Sequence, residues 1–301
     1  MLKLYRPLAL LVIVLYSSVG AAADEAVPIE TIAVTEGIHM LMGRGGNVAV
    51  STGANGTFVI DDQYATQSEV INQAIAALSA DPVKFLINTH WHSDHTGGNE
   101  RMGDAGAIIV AHENVRQRLG TDQVIEFFKA QRPASPGIAL PIVTFSRDIS
   151  FHVNGDEVRV FHVQNAHTDG DAVVHFTRAN VIHTGDVFFH ELYPFIDAGS
   201  GGSIDGTIAA VERVLGIADA ETRIIPGHGT LTDKDGLATY RDMLKAVRQA
   251  IAVLIVAGST ADQAVLAKPT AAFDGKWGNG FLKPDTFVRM VYDGIKRSTL
   301  Q

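Results

Sequence analysis

The sequence has no cysteine among its 301 residues. Disulfides are therefore excluded, and any metal site must use nitrogen and oxygen ligands in place of thiolates. Basic residues are also in the minority, with 24 Lys and Arg against 33 Asp and Glu and a formal net charge of −9. A chain this acidic is poorly suited to bind the phosphates of nucleic acids or an anionic membrane surface. We therefore expect a small-molecule substrate and no nucleic-acid partner.

Long apolar runs are absent as well, apart from a short one near the N terminus. Lys3 and Arg6 precede an apolar run at residues 8–16, and the alanines at 21–23 offer a small-residue cleavage site. The run has about nine residues, well short of the ~20 that span a bilayer. Residues 1–23 are therefore predicted to be a signal peptide, with a retained membrane anchor as the alternative. A periplasmic or secreted protein would result, with no membrane attachment after cleavage.

Removal of this leader would take away two cations and change the net charge from −9 to −11. The remaining chain is long enough to bury a sizeable core without disulfides. Its ligand-type residues are spread from His90 to His228, and one compact unit is needed to bring them together. We expect residues 24–301 to form a single domain, whose oligomeric state the sequence does not specify.

The densest chemical feature is the run from His90 to His95, which holds three histidines and Asp94 directly after an apolar, strand-like segment. Side chains alternate along an extended chain, so His90 and His92 fall on one side, while Asp94 and His95 follow on a turn. One loop can therefore supply ligands to two metal ions. Without a cation, so many imidazoles and a carboxylate at one strand end would repel or desolvate one another.

Three later segments have the same form, in which an apolar run ends in a turn with a ligand-type residue. They lead to His167, Asp186 and His228, and glycines in these turns let the chain bend back over the strand ends. The order and spacing of these segments after the first cluster make the signal specific. The remaining histidines are expected to be structural, namely His39, His112, His152, His162, His175, His183 and His190.

The ordered pattern His-x-His-x-Asp-His, His, Thr-Gly-Asp and Gly-His resembles the metallo-β-lactamase superfamily over nearly all of the chain after residue 30. The resemblance implies an α+β fold, a four-layer αββα sandwich of two similar halves with the site at one edge. It implies that one metal is held by His90, His92 and His167, and the second by Asp94, His95 and His228. Asp186 would bridge the two metals, as in the glyoxalase II-like and lactonase-like branches.

Two departures separate this chain from well-known members of that superfamily. The cysteine-using β-lactamases have a cysteine at the position of Asp186 and, three residues later, a lysine that holds the carboxylate of the drug. Here that later residue is Phe189, so a β-lactamase interpretation depends on the all-histidine type. The basic C-terminal pattern by which glyoxalase II enzymes hold glutathione is also missing. The substrate pocket is expected to match neither relative.

The local pattern supports a mixed sandwich. Apolar runs separated by glycine-rich turns are typical of strands at residues 39–42, 47–50 and 57–60. Helices are predicted near Asn99 and at residues 67–78, 113–119, 122–130, 204–215, 240–256 and 285–296. Residues 131–141, which contain three prolines, are predicted to form a loop or flap. The aromatic segment 188–197 is either a wall of the substrate cleft or a hydrophobic plug, and its Tyr193 is a weak candidate for an oxyanion donor.

A pair of cations ~3.5–4 Å apart makes hydroxide available near neutral pH and polarises a carbonyl group. Two zinc ions are the first expectation, although a nitrogen-and-oxygen ligand set also accepts iron or manganese. Asp94 is the expected catalytic group, since it can orient the hydroxide. Asp171 and Thr184 are candidates for fixing the ligand imidazoles.

Three functions are compatible with these features. The first is a dinuclear zinc hydrolase that acts on a carbonyl, with β-lactams first and lactones or thioesters next. The second is a phosphodiesterase or phosphotriesterase, which would favour a basic pocket, and no Lys or Arg cluster flanks the motifs. The third is a non-catalytic metal-binding module, which is disfavoured because every ligand position of the superfamily is filled.

Overall fold

The computed structural model describes residues 27–299, so the predicted signal peptide at 1–23 lies outside the described residues. Within the described part, the first sheet has the strand order β1-β2-β3-β4-β5-β6-β9. Strands β1 to β4 pair antiparallel, and the pairs β4–β5, β5–β6 and β6–β9 are parallel. The strands are β1 (Glu30–Thr35), β2 (Ile38–Met42), β3 (Val48–Ser51), β4 (Thr57–Ile60), β5 (Val83–Ile87), β6 (Ile108–His112) and β9 (Val143–Phe145).

The second sheet of the described chain has six strands in sequential order, all antiparallel neighbours except for the parallel pair β13–β14. Because strands β13 and β14 run in the same direction, their carboxyl ends lie at the same edge. The strands are β10 (Asp148–Val153), β11 (Asp156–His162), β12 (Ala172–Phe176), β13 (Val181–His183), β14 (Arg223–Ile225) and β15 (Thr232–Asp233).

Within residues 27–299, six of the seven predicted helices are present near their predicted bounds, whereas the short helices at 93–96, 261–266 and 274–277 were not predicted. The largest shift is in α6, which begins six residues before the predicted start because Asp233 caps it by accepting from the N–H groups of Asp235 and Gly236. No helix in this part of the chain is long and apolar enough to cross a membrane. The helices are α1 (Ser68–Leu78), α2 (Ser93–Thr96), α3 (Asn99–Asp104), α4 (Glu113–Leu119), α5 (Ile204–Ile217), α6 (Lys234–Val256), α7 (Ala261–Leu266), α8 (Asp274–Trp277) and α9 (Pro284–Ser298).

The two sheets pack face to face, and alternate residues of each strand enter different cores. In β2 and β3, Met40 and Ala49 face the second sheet, whereas Leu41 and Val50 pack on the opposite side with Ile71 of α1. The second sheet shares its outer core with α5, α6 and α9. Layers of helix, sheet, sheet and helix result, which confirms the predicted α+β, four-layer αββα fold.

The predicted helix at 122–130 is wrong, because this segment forms a β-hairpin. Strand β7 (Gln123–Ile125) pairs antiparallel with β8 (Ala130–Arg132), and Val124 lies opposite Gln131. The turn closes with Lys129 at φ 51°, a left-handed conformation that a continuous helix does not contain. The spacing of apolar residues in this short segment is compatible with the period of a helix and with that of a strand. Cross-strand pairing stabilises the hairpin. The rest of the predicted flap is irregular, apart from a single 3₁₀ turn at Gly137–Ala139.

Candidate metal centre

The loop after β5 carries four of the predicted ligands. His90 lies in the irregular segment behind the strand, and His92 is extended, with φ −66° and ψ 147°, at the start of α2. Asp94 and His95 lie within that one-turn helix. The backbone at Gly46 packs directly against this loop, since a Cβ atom on Gly46 would collide with the imidazole of His95. Because the chain changes sharply from extended to helical here, the side chains of one loop can point toward two metal positions.

The other three ligands come from the second sheet. His167 lies in the loop between β11 and β12, Asp186 lies in a 3₁₀ turn directly after β13, and His228 follows β14. Parallel pairing of β13 with β14 places Asp186 and His228 at the same sheet edge. Gly227 is required there, since a Cβ atom would overlap the Oδ1 atom of Asp186. The site therefore lies where the edges of the two sheets meet.

The structure brings all seven predicted ligands together in two groups. In each group the potential ligand atoms lie within 4.8 Å of one another. The first group is His90, His92, His167 and Asp186, and the second is Asp94, His95, Asp186 and His228. These are the two sets that the superfamily resemblance implies, with Asp186 common to both.

The two oxygens of Asp186 face different groups. Its Oδ2 atom lies 3.4 Å from Nε2 of His167 and 3.8 Å from Nε2 of His90. Its Oδ1 atom lies 3.0 Å from Nε2 of His95 and 3.5 Å from Nε2 of His228. The carboxylate is thus placed between the groups, with one oxygen available to each.

Outer partners determine which nitrogen of each imidazole carries its proton. Nε2 of His92 donates to Asp197 at 3.0 Å, and Nδ1 of His167 donates to the carbonyl of Phe195 at 2.8 Å. Their inward nitrogens are therefore both unprotonated acceptors, although they lie only 2.8 Å apart. Two lone pairs at that distance repel unless a cation lies beside them. Inward lone pairs are also the form in which neutral imidazole binds a metal.

His90 and His95 are oriented by one shared acid. Nδ1 of His95 donates to Oδ2 of Asp61 at 2.7 Å, and Nδ1 of His90 donates to the Thr89 hydroxyl, which itself donates to Asp61. Nε2 of His90 is buried and has no hydrogen-bond partner among residues 27–299. A buried acceptor of this kind, directed at three other potential ligands, fits a metal ion. The residues present therefore suit the cations that the resemblance implies.

The charges of the two groups differ in the metal-free chain. Burial and the nearby His95 lower the pKa of His90 well below its usual value, and burial lowers the pKa of His167 to about 4. Burial also disfavours protonation of His228, but the carboxylates of Asp186 and Asp94 outweigh it and raise its pKa to about 9. The second group therefore holds protons where a cation would otherwise balance its carboxylates.

Two functional residues were not predicted from the sequence. Asp61 follows β4 and is fully buried, and Asp197 ends the aromatic segment and accepts from both His92 and the Ser200 hydroxyl. Asp61 shares the strand-end form of the predicted ligands, so that signal was present. The predicted candidates do not hold an imidazole: Asp171 accepts from the backbone N–H of His167, and the Thr184 hydroxyl donates to backbone carbonyls. Both stabilise the loops rather than a ligand ring.

We predict that Asp61→Asn lowers zinc affinity about 10- to 100-fold, because an amide is a weaker acceptor for His95 and removes charge behind the ligands. A competition titration with a chelator would measure the effect. Asp62→Asn is the matched control: burial raises the pKa of Asp62 well above its usual value, and its carboxyl contacts the Gly98 N–H and no imidazole. Equal losses in both variants would show that the effect is general damage to the fold.

A cleft of about 400 Å³ opens over the site. Asp94, Asp186 and His228 line its floor, while Phe189, Phe195 and Phe281 contribute apolar walls. The aromatic segment 188–197 therefore supplies both wall and core, since Phe188 and Tyr193 are buried away from the cleft. Tyr193 is not an oxyanion donor in this structure, because its hydroxyl donates to Asp274 at 2.8 Å.

The sequence profile of the Metallo-beta-lactamase superfamily matches residues 24–229. Hydroxyacylglutathione hydrolase of Erythrobacter litoralis is 31% identical over 108 residues, which are 36% of this chain and 35% of that protein. The hydroxyacylglutathione hydrolase of Pelagibacter ubique is 25% identical over 150 residues, or 48% of this chain and 52% of that protein. The chain thus spans about half the length of these curated relatives, or less.

Solved structures share the fold at low identity. The DIM-1 metallo-beta-lactamase matches with a TM-score of 0.58 and 20% identity over 73% of this chain and 99% of its own. The sec-alkylsulfatase Pisa1 from Pseudomonas sp. matches with a TM-score of 0.65 and 16% identity over 91% of this chain and 52% of its own. The fold and the His/Asp cluster together define a metallo-β-lactamase fold with a candidate metal site. The chain belongs to the metallo-β-lactamase superfamily.

Proposed function

We propose that this protein is an exported dinuclear zinc hydrolase that cleaves a carbonyl bond of a small molecule, with β-lactams as the first candidates and lactones or thioesters as the next. The observation that carries this proposal is the position of Asp186, with one carboxylate oxygen toward each ligand group. Bound zinc would lower the pKa of water and polarise a carbonyl oxygen. Export is supported by the composition of residues 1–23, and N-terminal sequencing of recovered protein should begin near Asp24 rather than Met1.

The residues of the cleft have separate roles. Asp94 has a side chain 19% exposed, against 5% for Asp186, so it is the carboxylate open to substrate. Burial raises the pKa of Asp94, but the nearby His95 and His228 outweigh burial and lower it below the usual value. Asp94 is therefore an ionised carboxylate, and it would orient an attacking water by accepting a hydrogen bond from it.

A second candidate is a phosphodiesterase or phosphotriesterase of the same superfamily. The sequence alone disfavours it, because no cluster of Lys or Arg flanks the motifs. The folded chain, however, places Arg44 and Arg132 in the lining of the cleft. Two guanidinium groups there suit a phosphoryl oxygen as well as a carboxylate.

A hydrolysis panel on the purified, zinc-loaded protein tests both candidates. The panel contains a chromogenic cephalosporin, acyl lactones, thioesters, phosphate di- and triesters, and a secondary alkyl sulfate. We expect cleavage of a carbonyl substrate with a kcat/KM at least 100-fold above that for the phosphate esters. Preference for a phosphate ester would support the second candidate, and zinc binding without any turnover would favour a metal-binding module.

A further inference from the structure

Two arginines from distant parts of the chain line the active-site cleft. Arg44 lies in the turn between β2 and β3, and Arg132 is the last residue of β8. They share the cleft with Asp94, Asp186 and His228, which are ligands of the proposed second metal. In a chain with a net charge of −9, two cations beside a divalent metal site make this cleft locally attractive to anions.

Arg132 has hydrogen-bonding capacity that the protein does not use. Its Nη1 atom donates to the carbonyl of Gln131 at 3.1 Å. Its Nε atom is buried and has no hydrogen-bond partner among the described residues 27–299. Because water does not reach that atom, an acceptor bound in the cleft would pair with the terminal Nη1 and Nη2 groups, which carry four of the five guanidinium N–H donors. A carboxylate suits the group best, because it can accept two parallel N–H bonds from one arginine.

The field of both arginines reaches the same point of the cleft. Tyr64 also lines the cleft, and burial together with the carboxylates of Asp94 and Asp186 raises its pKa to about 12. Arg132 and Arg44 act on that hydroxyl in the opposite direction. Tyr64 is therefore a neutral hydroxyl within the electrostatic influence of both the metal-site carboxylates and the two arginines.

The mouth of the cleft is aromatic. Phe128, in the turn of the hairpin, is 48% exposed, and Phe281, before α9, is 58% exposed. The ring centroid of Phe128 lies 4.9 Å from that of Phe195, and the ring of Phe281 lies 6.5 Å from that of Phe189. Exposed aromatic side chains that continue into a cleft are typical of a binding surface for an apolar group.

We propose that the substrate is an amphiphilic carboxylate, whose anionic group pairs with Arg132 and whose aryl or alkyl group lies on Phe128 and Phe281. This inference rests on the proposed function and deepens it by naming the substrate class. The hairpin contributes to both parts of this binding site, because Arg132, for the anionic group, and Phe128, for the apolar group, are four residues apart on it. Arg44 strengthens the attraction for the anion at longer range.

Binding of 4-phenylbutyrate to the zinc-loaded protein tests the subsite without turnover. Calorimetry should show affinity about 10- to 100-fold weaker in Arg132→Gln than in wild type, the range expected for a lost charged hydrogen bond. Arg132→Lys should recover part of the loss, because it keeps the charge without the planar fork. Arg178→Gln is the matched control, since Arg178 is an exposed arginine that also donates to a backbone carbonyl.

Two further probes separate the halves of the site. The neutral 4-phenylbutyramide should bind wild type and Arg132→Gln alike, and Phe281→Ala should weaken 4-phenylbutyrate but not butyrate. A carboxylate held by zinc alone would bind Arg132→Gln as tightly as wild type, and that result would overturn the proposal. Zinc content and thermal unfolding of each variant show whether the fold is retained.

Failure of the Arg132 subsite and failure of the proposed hydrolase activity give different results. Arg132-dependent binding in a protein that hydrolyses nothing in the panel would leave the subsite standing and remove the hydrolase proposal. The reverse case is a protein that hydrolyses an acyl carboxylate and its methyl ester with the same KM, and whose KM values do not change in Arg132→Gln. That result would keep the hydrolase proposal and remove the subsite. The supporting result is a KM for the carboxylate that rises about tenfold or more in Arg132→Gln, with kcat changed much less.

Discussion

Asp186→Asn is expected to bind one tightly held zinc ion instead of two and to lose turnover by about two or more orders of magnitude. The carboxylate is buried, and its two oxygens face separate groups of imidazoles at 3.0 to 3.8 Å. An amide has nearly the same shape but no negative charge, so it no longer balances the repulsion between two dications at close range. Metal titration of the variant beside wild type measures the stoichiometry, and steady-state kinetics measures turnover.

The opposite result would have a clear meaning. In the all-histidine β-lactamases that this chain resembles in its ligand pattern, the bridging position is usually not a strong ligand. If Asp186→Asn kept two tightly bound ions and most of its activity, the second metal would be held by Asp94, His95 and His228 alone. Asp169→Asn is a useful control, because Asp169 is a nearby carboxylate paired with Arg118 and lies outside both ligand groups.

His95→Ala is expected to abolish turnover while leaving most of the fold intact. His95 is fully buried between Asp61 on one side and the second ligand group on the other. Its removal leaves the second metal with one fewer nitrogen ligand and leaves the Asp61 carboxylate without its imidazole partner. His92→Ala should do the same to the first group. Elemental analysis should show a loss of close to one metal per chain in each variant.

His152→Ala is the control for this pair, since His152 is an exposed histidine on β10 that was expected to be structural. It should keep both metals and full activity. Chelation gives the complementary test: exhaustive removal of metal should stop hydrolysis, and added zinc should restore it. Full activity in verified metal-free protein would exclude the proposed mechanism. Iron and manganese belong in the restoration series, because nitrogen and oxygen ligands also accept them.

The ligand set could be predicted from sequence because its signals are local. Each ligand follows an apolar strand within a few residues, and strands of the same sheet that run parallel end at the same edge. Asp61 also follows an apolar strand, and so does its neighbour Asp62. The sequence therefore does not indicate which of the two carboxylates contacts an imidazole. Both are fully buried, and the direction of each side chain decides between them: the Asp61 carboxylate accepts from Thr89 and His95, whereas the Asp62 carboxyl accepts from the Gly98 N–H.

By itself, the sequence determined the fold class, the family and the seven residues at the site. The fold class and the family follow from the resemblance of the ordered His/Asp motif to a known superfamily, and the polar residues at strand ends mark the seven site positions. The tertiary structure alone decided that residues 122–130 form a hairpin, that Asp197 orients His92, and that Arg44 and Arg132 enter the cleft. The hairpin forms because cross-strand pairing between neighbouring segments exceeds a weak local preference for helix. The positions of Asp197 and the two arginines depend on contacts between segments far apart in the chain, which local sequence preference does not record.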